Sequence, residues 1–79
     1  VEVRFFAGAA EAAGADSRII EARGLTADQV VSQLAEGNER LAKVLNVSAL
    51  LADGTRITDR STDLSEVQSL DVLPPFAGG

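Results

Sequence analysis

The 79-residue chain has no cysteine, histidine, methionine, tryptophan or tyrosine, and only two prolines and three phenylalanines. Without cysteine there is no disulfide to staple a small core and no thiolate for metal binding or nucleophilic attack. The absence of histidine as well excludes zinc fingers, iron–sulfur sites and every Ser-His or Cys-His catalytic arrangement. A self-contained enzyme is therefore disfavoured, and no metal site is expected. Basic residues are also scarce, with Lys+Arg 7 against Asp+Glu 12 and a net charge of −5. The arginines and the single Lys43 are scattered, so the clustered positive surface that phosphates require is missing and no nucleic-acid partner is expected. No apolar run approaches the roughly 18 residues of a membrane span. No charged segment followed by an apolar stretch opens the chain. A cytoplasmic protein without a membrane partner is the expectation.

What is present, 46% hydrophobic and 24% charged residues, fits one compact domain spanning 1–79. Val1, Val3 and Phe5 alternate with Glu2, Arg4 and Phe6, the period of a strand with one face inward. Phe6 breaks the polar run of the outer face. Gly8 to Gly14 reads as a short helical turn or a loop, and Ser17 to Ala22, around Ile19 and Ile20, as a second strand closing a hairpin. Thr26 followed by Gln29 is a capping box, so a helix starts there, with Ala27, Val30, Val31, Leu34 and Ala35 on one apolar face. Gly37 or Asn38 ends it. Glu39 to Leu45 forms a second short helical piece, Val47 to Ala52 a third strand, and Asp53-Gly54 a tight turn into Thr55-Arg56-Ile57. Thr58 to Ser65 is polar and without pattern, and Val67, Leu70, Val72 and Leu73 supply a last apolar run.

This order predicts an α+β roll in which a mixed sheet grips one main helix. Its first and last strands lie side by side and parallel at the centre, the ubiquitin-like β-grasp arrangement.

The end of the chain, Leu73-Pro74-Pro75-Phe76-Ala77-Gly78-Gly79, is the most informative segment. Two prolines cannot donate to a sheet ladder and favour polyproline II, so the last strand stops near Leu73 and residues 74–79 form a flexible, projecting tail. At roughly 3.1 to 3.4 Å per residue this tail reaches about 19 Å. Gly78 and Gly79 carry no side chains, so the backbone can pass through a narrow channel and present the Gly79 carboxylate at a buried centre. A terminal glycine pair arises by chance in about 0.5% of chains, which makes an accident a poor account of it. Phe76 is either an anchor for the threading tail or a spacer. Lys43 is an acceptor for an acyl group from another copy or, far more simply, a solvated helix-end cation.

On Val3-Arg4-Phe5-Phe6-Ala7 with Glu11 following, on the capped central helix, and on the Pro-Pro-Phe-Ala-Gly-Gly ending, nearly the whole chain resembles the small-subunit family of molybdopterin synthase, a branch of the ubiquitin-like sulfur carriers. The resemblance implies a carrier cycle. An E1-like, ATP-using activating enzyme adenylates Gly79, and a sulfur donor protein converts the adenylate to a thiocarboxylate. The large synthase subunit then uses that sulfur on cyclic pyranopterin monophosphate. No cofactor is bound by the carrier itself, and a heterotetramer of two small and two large subunits is implied. By the same resemblance Pro74, Pro75, Phe76, Ala77 and Gly78 thread into the partner, and Phe6 and Leu73 dock on it. Phe6, on the face opposite Phe5, is either such an anchor or is covered by the protein's own loops. Two departures are Arg56, where the family often presents an apolar residue, and Val67 to Val72, which replaces an acidic, Gly-containing turn. A carrier for thiamine thiazole or cysteine synthesis, and a protein modifier joined to target lysines, share the Gly-Gly end. A passive binding domain is the remaining reading.

Overall fold

The computed structural model describes residues 1–75; Phe76, Ala77, Gly78 and Gly79 lie outside the described residues. The elements run β1 (Glu2–Phe5), α1 (Gly8–Ala13), β2 (Ser17–Ile19), α2 (Ala27–Ala35), α3 (Glu39–Val47), β3 (Ala49–Ala52), β4 (Thr55–Arg56) and β5 (Ser69–Leu73). The sheet has the order β2-β1-β5-β3-β4. β1 and β5 are its parallel centre, with Val3 opposite Leu70 and Phe5 opposite Val72. β2 pairs antiparallel with β1, and β3 antiparallel with β5 and β4. This is the β-grasp roll that the apolar periodicity predicts.

One set of alternating side chains from the central strands faces the helices. Val3, Phe5, Leu50, Leu70 and Val72 are buried together with Ala27, Val30, Val31 and Leu34 of α2 and Leu41 and Leu45 of α3. Burying each large aliphatic side chain contributes about 1.5–3 kcal/mol relative to leaving it in water. Leu64 enters the same core, fully buried, from the irregular segment after β4.

α2 begins where the capping box predicts. The Gln29 backbone N–H donates to Thr26 Oγ1 at 3.3 Å, and the Thr26 N–H donates to Gln29 Oε1 at 2.9 Å. The helical cover is shared more evenly than a single main helix implies, because α2 and α3 each span nine residues. Gly37, at φ +72°, turns the chain between them. Asn38 then caps α3, accepting from the Leu41 N–H at 3.0 Å.

Several boundaries differ from the expectations; α2 ends at Ala35 rather than at Gly37 or Asn38, and β4 at Arg56 rather than Ile57. The helix expected to stop at Leu45 runs to Val47, where Ser48 closes it by donating its hydroxyl to the Val44 carbonyl at 2.6 Å. β3 accordingly starts at Ala49 rather than Val47. β2 ends at Ile19, which is 74% exposed while Ile20 is buried. The patternless stretch from Thr58 to Ser65 is a strap tied by its backbone to α2. Ala27 N–H donates to the Thr62 carbonyl and Asp28 N–H to the Arg60 carbonyl, at 2.8 and 2.9 Å. The Arg60 guanidinium donates to the Leu45 carbonyl near the end of α3 at 3.0 Å.

Candidate functional site

The outer face of the central strand pair is built by the residues that alternate with the core. Glu2 and Arg4 on β1 are exposed, and Ser69, Asp71 and Leu73 on β5 are half-buried. Arg4 and Asp71 are register partners. The Arg4 Nε and Nη2 donate to the two carboxylate oxygens of Asp71 at 2.6 and 2.9 Å. This fork-to-fork pair pins the parallel register from outside the core. Hydrogen bonding to Asp71, reinforced by its charge, holds the Arg4 guanidinium above its ordinary value. The pair was not singled out from sequence. Its signal was the placement of both residues on alternate positions of two strands expected to be neighbours.

Phe6 continues β1 beyond its last ladder residue. Its N–H donates to the Val72 carbonyl at 3.2 Å, which carries the β1–β5 pairing forward to the level of Leu73. Phe6 is 40% exposed, so the described residues leave part of it open to solvent. Leu73 is half-buried and pairs with Ala49 of β3. Phe6 and Leu73 therefore meet at one end of the sheet, where Pro74, half-buried, and Pro75, exposed, take the chain away from the last strand. Val47, at the end of α3 and two residues before Ala49, is 63% exposed at the same end. Sequence reasoning assigned Val47 to a strand and missed this position.

Ala7, directly after Phe6, has φ 49° and ψ −125°, a conformation that favours glycine. It turns the chain from β1 into α1 within one residue. Arg56 lies across β3 from Asp71, because Leu51 pairs with both. Lys43 is exposed on α3.

The described part of the site thus offers Phe6 and Leu73 at the end of the central strand pair, beside Pro74, and a fixed ion pair behind them. These groups offer an apolar contact surface next to a paired charge. The residues expected to carry chemistry or to thread, Phe76, Ala77, Gly78 and Gly79, lie outside the described residues. Among the described residues, no helix is long and apolar enough to cross a membrane.

Comparison with known proteins adds three findings. The profile described as the ThiS family matches residues 3–79. The crystal structure of SAMP1 from Haloferax volcanii superposes with a TM-score of 0.73 at 20% identity, over 99% of this chain and 97% of that one. The solution structure of the Haloferax volcanii HVO 2177 protein also gives 0.73, at 26% identity, over 99% of this chain and 84% of that one. No curated protein matches the sequence.

Proposed function

Because the chain belongs to the ThiS family of ubiquitin-like sulfur carriers, we propose that it carries sulfur on Gly79 for molybdopterin synthesis. The observation that supports this most is the convergence of Phe6 and Leu73 at the sheet end from which Pro74 and Pro75 lead to Gly78-Gly79. A partner that grips the apolar end receives the tail in a fixed direction.

The chemistry requires nothing of this chain's side chains. A carboxylate is a poor electrophile until one oxygen becomes part of a leaving group. In the activating enzyme, a Gly79 carboxylate oxygen attacks the α-phosphorus of ATP, forming the acyl adenylate and releasing pyrophosphate. A persulfide on the donor protein then attacks the acyl carbon and displaces AMP. A second thiol cleaves the resulting acyl disulfide, taking the donor sulfur into a new disulfide and leaving a thiocarboxylate on Gly79. In the large synthase subunit the thiocarboxylate sulfur forms a C–S bond to cyclic pyranopterin monophosphate as a C–O bond of that substrate breaks. Water hydrolyses the resulting thioester, leaving the sulfur on the pterin and restoring the Gly79 carboxylate. Pro74 and Pro75 cannot donate to a sheet ladder, which suits a terminus delivered to a partner. The molybdopterin branch is preferred to thiazole or cysteine synthesis because the Phe5-Phe6-Ala7 strand end and the Pro74-Pro75 tail occur together.

Intact mass after incubation with activating enzyme, ATP and a sulfur donor tests the carrier step. The expected product has one oxygen replaced by sulfur and is absent when Gly79 is deleted. Sulfur transfer to cyclic pyranopterin monophosphate with the large subunit then tests the branch. Heavier adducts on protein lysines in place of the thiocarboxylate would support the modifier reading.

A further inference from the structure

The outer face of β1 continues into a groove that the carrier cycle leaves unassigned. The cavity, about 530 Å³, is lined by Glu2, Arg4, Phe6, Ala10, Asp16 and Ser17 among others. Ser17 stands opposite Arg4 across the β1–β2 ladder, and the exposed Ile19 stands opposite Glu2. The groove therefore follows β1 from Glu2 to Phe6, with its apolar side chains, Phe6 and Ala10, at the Phe6 end. Four residues of strand separate those ends, roughly 13 Å, the length of an extended segment of four or five residues.

Its charge is one-sided. The only guanidinium lining it, Arg4, is taken by Asp71. The other ion pair among the described residues joins Arg40 to Glu11 and involves neither Glu2 nor Asp16. Glu2 also acts on the Arg4 guanidinium, so Glu2, Asp16 and Asp71 together outnumber the one guanidinium along this face, on a chain of net charge −5. Phe6 also belongs to the sheet end from which the tail leaves, so the groove is continuous with the surface a tail-receiving protein covers.

We propose that this groove seats an extended segment of the protein that receives the tail. That segment places an aliphatic or aromatic side chain against Phe6 and arginine or lysine side chains against Glu2 and Asp16. The inference rests on the carrier reading for the identity of the occupant, but the recognition chemistry is independent of sulfur transfer. The excess of carboxylate charge along this face accelerates encounter and selects a basic segment, and Phe6 supplies the contact that holds it.

The probe is a capped Arg-Leu-Arg-Leu-Arg peptide titrated into the full-length chain labelled with nitrogen-15, with Glu-Leu-Glu-Leu-Glu as its counterpart. Saturable amide shifts are expected at Glu2 to Ala7, Asp16 and Ser17 with the basic peptide alone, weakening as salt is added. The double variant Glu2→Gln, Asp16→Asn should raise the dissociation constant about fivefold or more. Phe6→Ala should raise it as well, whereas the double variant Glu36→Gln, Glu66→Gln, an equal charge change at exposed positions away from the groove, should leave it unchanged. Shifts spread equally over Asp59, Asp63 and Glu66, equal binding of the acidic peptide, or no saturable shift would overturn the groove. None of these outcomes bears on whether Gly79 gains sulfur, which the mass measurement decides separately.

Discussion

Val3, Phe5, Leu70 and Val72 belong to the same two strands as Arg4, Phe6, Asp71 and Leu73, yet the first four are buried and the second four are exposed or half-buried. A period of two along each strand makes this separation possible, because successive side chains leave opposite faces. Stability and recognition are thereby assigned to alternate residues of one parallel pair. In so small a domain, which buries only about 60% of the surface its unfolded chain exposes, few other places exist where binding residues could change without cost to the core.

The strongest way to break the comparison is to exchange the penalties. Leu70→Ala removes a fully buried side chain from the centre of the sheet and should cost about 2–5 kcal/mol, against a total of about 5–15 kcal/mol for an ordinary domain. Leu73→Ala, three residues on and half-buried, should cost much less. Urea denaturation followed by circular dichroism reads both, and equal losses would mean that the outer face is structural too.

Phe6→Ala sharpens the comparison from the other side. Truncating a residue left 40% exposed should cost the fold less than Leu70→Ala, while its loss from the proposed interface should weaken binding to the activating enzyme by about 2 kcal/mol or more. Calorimetric titration measures the affinity and thermal melting measures the stability. A large fall in melting temperature with unchanged affinity would reverse the assignment.

A smaller effect is expected at Ala7, the hinge between the two kinds of surface. Its φ of 49° with ψ −125° places a Cβ where the backbone tolerates it poorly, at a cost of about 1–3 kcal/mol. Glycine relieves that strain but adds unfolded-state entropy of about 0.5–1 kcal/mol. Ala7→Gly should therefore stabilise the fold by about 1 kcal/mol, visible as a rise in the urea midpoint.

Much of this division was legible in the amino-acid order. Alternation in Val1–Phe6 and around Leu70–Leu73 marked both faces, and Thr26 with Gln29 marked the helix start, because each feature depends on local geometry alone. The strap did not read that way. Arg60 and Thr62 contribute backbone carbonyls to the first amides of α2, and backbone bonding leaves no trace in side-chain pattern. Val47 was misread for a related reason: a β-branched residue before an apolar run resembles a strand start, while the Ser48 hydroxyl bond to Val44 continues the helix. The site divided similarly. Phe6 was visible as an apolar residue on a polar face, whereas the Arg4–Asp71 pair required the strand register, and the groove required the return of β2 beside β1.

The smallest expected effect concerns the far end of the strand pair, opposite the tail. Asp53 sits in the β3–β4 turn with φ 48°, and its carboxylate accepts from the backbone N–H groups of Gln68 and Ser69 at 3.2 and 3.0 Å. Those backbone bonds, Ser69 first, hold the Asp53 carboxyl below its ordinary value. In the unfolded chain the bonds are lost and the group returns to about 3.9. The unfolded state therefore takes up the proton first as pH falls. The stabilisation is present above about pH 4 and disappears as pH drops through the lower, folded value. Asp59 and Asp63, held low by Ser61 and Ser65, act in the same direction, so Asp53→Asn should reduce the acid-dependent loss without abolishing it. Asparagine tolerates a positive φ, so the substitution removes the charge while keeping the turn. Urea midpoints of both proteins between pH 6 and pH 2 read the difference. Parallel curves would mean that the Asp53 carboxylate adds nothing to the backbone bond from the Asp53 N–H to the Ser69 carbonyl at 2.9 Å in joining β5 to the turn.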